Sequence, residues 1–142
     1  MQIREMTIED YDEVFSLWRS VEGMGLHGIC DSKEGVGKYL RRNPGLSFVA
    51  RDSDRLVGAV LCGHDGRRGY LHHLAVDREY RRKGIGTALN ERVIAKLKDL
   101  GITRCHIFVL PDNIEAQRFW QRIGWTEFVG LKIMSRGVDL NE

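Results

Sequence analysis

An apolar run at residues 71–76, Leu71-His72-His73-Leu74-Ala75-Val76, ends shortly before the turn Arg81-Arg82-Lys83-Gly84-Ile85-Gly86-Thr87. In residues 88–97 the apolar side chains then recur at helical spacing. The order of strand, glycine-rich turn and helix constrains the chain more than any other feature. Four N–H groups at a helix start have no partner inside the helix, and the macrodipole adds about half a positive charge there. Such a turn is suited to an anion, phosphate above all. Gly84 and Gly86 let a ligand approach the backbone with no Cβ in the way. Arg78, Arg81, Arg82 and Lys83 surround the entrance with positive charge. The turn reads as a pyrophosphate cradle, beside the plainer reading of a solvated turn that starts a helix. It is not a P-loop, because Gly86 is followed by Thr87-Ala88 rather than by Lys-Ser/Thr. It is not the dinucleotide fingerprint either, since Leu89 stands where a third small residue is needed.

Arg81-x-x-Gly84-x-Gly86, following Leu74-Ala75-Val76, resembles the acetyl-coenzyme A signature of the GNAT N-acetyltransferase superfamily. A second block, Asn113-x-x-Ala116-x-x-Phe119-Trp120-x-x-x-Gly124-Trp125, is similar to the superfamily's later helix, with Trp120 and Trp125 in place of Tyr and Phe. The resemblance covers residues 56–125 well and the first half only in general layout. It implies an α/β (α+β) fold with a mixed, mostly antiparallel twisted sheet of about six to seven strands, one splayed parallel pair and about four flanking helices. It also implies acetyl-coenzyme A as co-substrate. The pantetheine arm would lie along the backbone of Leu74, Ala75 and Val76, and the pyrophosphate would meet the turn from Arg81 through Arg82, Lys83, Gly84, Ile85, Gly86 and Thr87. Asn113, Ala116, Phe119 and Trp120 would complete the cofactor contacts. Asn113 also reads as an N-cap for the last helix, and both roles can hold together.

At 142 residues the chain suits one domain, residues 1–142, with one good core. An apolar fraction of 42% and a charged fraction of 30% are ordinary for a globular protein. A formal net charge of +2 argues against nucleic acid as the main partner. Cys30, Cys62 and Cys105 are too few and too widely spaced for a disulfide framework or a zinc site, so no metal is expected and a reducing cytoplasm is the expected compartment. No apolar run approaches the roughly 20 residues of a membrane span, and Met1 to Met6 lack signal-peptide character.

From the start of the chain, residues 2–6 alternate as a short strand, and Thr7-x-x-Asp10 resembles a capping box. Val14, Leu17, Trp18 and Val21 then mark one buried helix face. Residues 22–30, with Gly23, Met24, Gly25, His27, Gly28 and Cys30, read as a loop; the resemblance puts it beside the acceptor. Ser32 can cap a second helix weakened by Gly35 and Gly37. Strands are expected at 46–51, 55–63 and 70–76, and a doubly buried one at 105–110. Gly101 reads as the end of the central helix, and residues 126–129 and 131–135 as two closing strands.

Transfer to an amine needs a base that works near neutral pH, and histidine, with an ordinary pKa of about 6.5, suits that task. His72 aligns with the catalytic histidine of arylalkylamine-acetylating relatives. Tyr70 aligns with a glutamate of a histone-acetylating branch, although tyrosine is a poor base at neutral pH. His72 and Tyr70 are the candidate catalytic residues, against the reading of half-buried structural side chains. Simple alternation puts Tyr70, His72 and Leu74 on one face and Leu71 and His73 on the other, an order that a β-bulge would change. Trp120 replaces the tyrosine that assists the departing thiolate in many relatives, and an indole N–H cannot deliver a proton. The expected acceptor is a small-molecule or peptide primary amine, with no nucleic acid and no membrane as partner; a homodimer stays open. The rival reading is a catalytically weak acyl-coenzyme A sensor, motivated by the missing tyrosine.

Overall fold

The computed structural model describes residues 1–21, 23–26 and 28–139; Glu22 and His27 of the expected acceptor loop lie outside them. The chain divides into two compact units, Met1–Phe108 and Val109–Glu142. Each is described by itself.

The first unit is built on a five-stranded sheet in the order β1-β2-β3-β4-β5. Its strands are β1 (Gln2–Glu5), β2 (Phe48–Asp52), β3 (Arg55–His64), β4 (Gly69–Val76) and β5 (Cys105–His106). The first four are antiparallel in sequence order, and β4 and β5 are parallel. Three helices belong to this unit: α1 (Tyr11–Ser20), α2 (Lys33–Arg42) and α3 (Ile85–Asp99).

Local chemistry explains where the helices start. The Thr7 N–H donates to the Asp10 carboxylate at 2.9 Å and leads a 3₁₀ turn into α1. The same buried carboxylate takes two bonds from Arg4, at 2.7 and 2.8 Å, so the start of α1 is tied to β1. Ser32 caps α2 by accepting the Gly35 N–H at 3.0 Å. Gly35 does more than weaken that helix. A Cβ there would stand 2.7 Å from the Cys30 carbonyl oxygen and closer still to that of Ile29, so glycine lets the preceding loop lie against α2.

The sheet separates two apolar layers. Ala59, Leu61 and Ala75 form one buried cluster with Val14, Leu17 and Trp18 of α1 and Val36 of α2. Ile85, Leu89, Val93 and Leu97 make the buried stripe of α3. This helix sits close to β3 at Gly58, where a Cβ would be 3.1 Å from both Ile85 and Leu89. Gly101, at φ +77°, ends α3 as expected.

Three expectations need correction. The strand expected at 105–110 forms only at Cys105–His106, and Phe108 and Leu110 are exposed. An unbroken apolar run signals burial only when neighbours exist on both sides, and here the ladder to β4 ends at the Tyr70–His106 pair. The closing strands at 126–129 and 131–135 are not formed, and Phe128, Val129, Leu131, Ile133 and Met134 are all exposed. Strand propensity expresses itself only where a partner strand supplies the ladder. The described sheet has five strands, just under the expected count of about six to seven, and it is mixed and mostly antiparallel with one parallel pair, as expected. Finally, β4 does not alternate regularly. Ala59 pairs with Ala75 and Leu61 with His72, so His73 and Leu74 together oppose Val60. This is a β-bulge, and His73 sits at its left-handed position, φ +52°.

The second unit holds α4 (Ile114–Arg122). Asn113 caps it by accepting the Ala116 N–H at 3.1 Å, which bears out the N-cap reading.

Candidate active site

The turn between β4 and α3 has the geometry of an anion cradle. Gly84 is the N-cap residue at φ +81°, in the left-handed region. The first intrahelical bond runs from Ala88 N–H to Gly84 O at 2.9 Å, so the N–H groups of Ile85, Gly86 and Thr87 precede the helical ladder. Nothing lies within 4 Å of the point where a Gly84 Cβ would stand. The Ile85 side chain is buried and anchors the turn, while Arg82, Lys83 and Gly84 are exposed. The residues present fit a pyrophosphate.

The flanking charges divide into occupied and free ones. Arg81 Nε donates to the Val76 carbonyl at 3.4 Å, bracing the end of β4. Lys83 Nζ lies 5.1 Å from the Tyr80 ring centroid, and the Tyr80 hydroxyl donates to Asp52 at 2.8 Å. Arg55 is held by Asp77 and Glu79 at 2.8 and 3.1 Å. Arg82 is exposed, with its backbone at φ +63°.

Upstream of the cradle, β4 and β5 part. They pair at Gly69–Cys105 and Tyr70–His106, so beyond Leu71 the strand has β3 on one edge and no β5 residue paired on the other. Among the expected cofactor contacts on β4, the Ala75 side chain is buried in the α1–α2 layer, while Leu74 and Val76 are half-buried. Only backbone groups of Ala75 can serve a ligand.

The bulge brings both histidines to the α1–α2 layer, against the alternation expected from sequence. The His72 ring packs edge-on to Tyr39 of α2 at 6.1 Å and tilts against Phe108 at 6.2 Å. It makes no hydrogen bond with another described residue. Tyr70 stacks on Phe108 at 6.3 Å and touches His106 at 5.6 Å. Burial pushes the His72 pKa below its ordinary value; the neighbouring His73 adds to this, and the Asp31 charge opposes it. The imidazole is therefore neutral at neutral pH and able to accept a proton.

His73 has a different setting. Its Nε2 lies 2.9 Å from Asp31 Oδ1, and its ring meets the fully buried Trp18 at 5.0 Å. Asp31 also accepts the Tyr11 hydroxyl at its backbone oxygen, 2.6 Å away. Burial pushes the pKa of the nearby Tyr39 hydroxyl upward, and that hydroxyl has no hydrogen-bond partner among the described residues.

In the second unit Trp120 is buried, edge-on to Phe119 and Trp125 at 5.1 and 5.0 Å. The first turn of α4 is held by Asn113, with Ala116 as its donor.

The sheet is mixed, its parallel pair parts after two residue pairs, and the open edge of β4 leads into a glycine-capped helix N-terminus. Comparison with known proteins names the family. The acetyltransferase (GNAT) family model matches residues 5–125, running through both units. Acetyltransferase SG1711 of Sodalis glossinidius (strain morsitans) is 33% identical over 123 residues, covering 87% of this chain and 85% of that protein. Among solved structures, Ard1 from Thermoplasma volcanium is similar with a TM-score of 0.77 at 21% identity, covering 88% of this chain and 82% of that one. The PaiA N-acetyltransferase from Thermoplasma acidophilum, in complex with coenzyme A, has a TM-score of 0.76 at 22% identity, covering 88% and 89%. The chain belongs to the GNAT acetyltransferase family. It is an N-acetyltransferase, with acetyl-coenzyme A as co-substrate.

Sequence reasoning missed Asp31, Tyr39 and Phe108 as neighbours of the histidines. Asp31 is 42 residues from His73, and no local spacing signals that contact. Phe108 was expected to be buried in a longer strand.

No helix among the described residues is long and apolar enough to cross a membrane.

Proposed function

We propose that the enzyme transfers the acetyl group of acetyl-coenzyme A to a primary amine by direct attack in a ternary complex, with His72 as general base. The observation that carries this reading is the His72 imidazole itself. It is half-buried, free of hydrogen bonds to other described residues, and its pKa is lowered by burial. It stands on β4 just past the point where the ladder to β5 ends.

An amine attacks the thioester carbonyl only as a free base, so its ammonium proton must be removed. A histidine already neutral at neutral pH can take that proton. Tyr70, two residues earlier and on the same face, borders the reacting edge and is suited to hydrogen bonding rather than to proton removal. Gly84, Ile85, Gly86 and Thr87 would hold the pyrophosphate through backbone N–H groups, with Arg81, Arg82 and Lys83 supplying positive charge. Backbone groups of Leu74, Ala75 and Val76 would pair with the pantetheine arm like an added strand. The cofactor roles of Asn113, Ala116, Phe119 and Trp120 rest on the motif resemblance, and Trp120 leaves thiolate protonation to water or to no group at all. The proposal treats residues 1–142 as one domain, supported by a family match that runs without a break through both units. It sets the enzyme in the cytoplasm, on the strength of cysteines too few and too widely spaced in sequence for a disulfide framework.

The test is calorimetric titration with acetyl-coenzyme A, followed by thiol release over a panel of primary amines. His72→Ala is expected to lower kcat about 100-fold, as loss of a general base does, with acetyl-coenzyme A affinity unchanged. An unaltered rate and pH profile in that variant would remove His72 as the base.

A further inference from the structure

We propose that Asp31 and His73 are a positioning pair: their contact pins the end of the α1–α2 connection onto the β4 bulge and so holds the acceptor against His72. The proposal rests on the reading of His72 as base.

Four observations converge on this contact. The Asp31 and His73 side chains meet at 2.9 Å and are only 10% and 17% exposed. The Asp31 backbone oxygen is held by the Tyr11 hydroxyl at 2.6 Å, so the residue is tied to α1 as well as to β4. The neighbouring chain is held equally firmly. Ser32 donates to the Ile29 carbonyl at 2.6 Å, and Gly35 leaves room for the carbonyls of Ile29 and Cys30 against α2. Further back, Met24 and Leu26 pack against the apolar cluster under α1.

The fourth observation is the backbone of His73 itself. At φ +52° it occupies the left-handed region, which only a few per cent of non-glycine residues adopt, histidine more readily than most. The bulge needs a residue that accepts this conformation, and nothing in the bulge itself calls for an imidazole. The imidazole is present at that position despite the strain, and what it does there is grip Asp31 while Trp18 fixes its plane. Backbone strain retained for a side-chain contact is a mark of functional sites.

The pair also touches the chemistry. The His72 and His73 ring centroids are 6.3 Å apart. The titratable groups facing His72 are His73 and Tyr70 from β4, Asp31 from the connection and Tyr39 from α2. Of these, His73 disfavours the protonated form of His72 and Asp31 favours it. Replacing His73 by a neutral residue removes the first influence and leaves the second, opposed now by burial alone, so the His72 pKa should rise.

Three variants test the pair. His73→Asn keeps a residue that tolerates positive φ and removes the imidazole. Asp31→Ala removes the pin, and Asp31→Asn keeps an oxygen within reach of His73 and should fold as the parent does. Acetyl-coenzyme A affinity is measured by calorimetry, and steady-state kinetics use the best acceptor among butylamine, phenethylamine, spermidine and kanamycin. Amide hydrogen exchange is followed at residues 28–32. Expected for Asp31→Ala and His73→Asn are an acceptor KM raised about tenfold, kcat lowered less than that, unchanged acetyl-coenzyme A affinity, and faster exchange at 28–32. Asp31→Asn should recover most of the KM. In His73→Asn the acid limb of kcat/KM should move to higher pH. Wild-type exchange at 28–32 in Asp31→Ala, or faster exchange with an unmoved acceptor KM, overturns the positioning role. If instead the wild type binds acetyl-coenzyme A but acetylates no amine, or His72→Ala keeps full activity, the base assignment fails first and takes this proposal with it.

Discussion

Gly84 and Gly101 stand at opposite ends of α3 and form a matched pair for testing the cradle. Both lie in the left-handed region, at φ +81° and +77°, and at both a Cβ would meet nothing within 4 Å. Substitution by alanine therefore carries the same backbone penalty at each end, about 1–2 kcal/mol. For a chain of this size that lowers Tm by about 3–8 °C. The two variants differ only in what the new methyl group displaces. At Gly101 it enters solvent. At Gly84, on the reading of this turn as a cradle, it adds bulk at the helix start that a pyrophosphate would approach. Loss of one charge-assisted hydrogen bond costs about 1.5–3 kcal/mol, which raises Kd roughly 10- to 150-fold. Calorimetric titration with acetyl-coenzyme A, at a temperature where both variants are folded, should show weakened binding for Gly84→Ala and parental binding for Gly101→Ala. Equal affinities in the two variants, with equal losses of Tm, would refute the cradle. They would show that Gly84 serves only to start the helix.

Other residues make independent predictions. Burial alone would raise the Asp10 pKa, but bonds from Arg4, the Thr7 N–H and Arg51 outweigh it and hold the carboxyl below its ordinary value. Asp10 thus contributes stability above its unfolded pKa of about 3.9 and loses it as pH falls through the lower folded value. Asp10→Asn should cost about 1–3 kcal/mol at pH 7 and flatten the acid side of the stability profile, read by denaturant melts at several pH values. Gly63→Ala should destabilise by about 1–3 kcal/mol, because its Cβ would stand 2.5 Å from the Tyr39 hydroxyl and 2.7 Å from the Asn43 amide; a melt equal to the parent's refutes that packing. With His72 as base, the acid limb of kcat/KM in the wild type should fall below the ordinary histidine value of about 6.5, since burial and His73 both lower it. A limb above that value contradicts the environment described for His72.

What was legible in the sequence was local. Capping is decided within four residues, so Thr7 with Asp10, Ser32, Gly101 and Asn113 all announced helix ends that the structure contains. The turn that opens α3 was equally legible, because Gly84 supplies its own left-handed conformation and the N–H groups that follow it need no distant partner. The motif order from Arg81 to Trp125 carried the family for the same reason.

What the sequence could not show depends on partners far along the chain. The period of a strand predicts two faces, but whether β4 keeps that period is set by its register with β3. The single residue Val60 opposing both His73 and Leu74 turned the second histidine to the face of the first. The apolar residues at 105–110 and 126–135 have strand composition throughout, yet a strand exists only where another offers its edge, and the β4–β5 ladder ends after two pairs. Asp31 belongs to none of the sequence motifs. Its contact with His73 exists because α1, α2 and the bulged β4 close around the same buried Trp18. Residue chemistry and short spacing determined the helices, the turn that opens α3 and the family. The register of the sheet and the packing of helices on it decided which histidine is bonded to Asp31 and which has no hydrogen bond to another described residue, because those contacts are made between segments that only folding brings together.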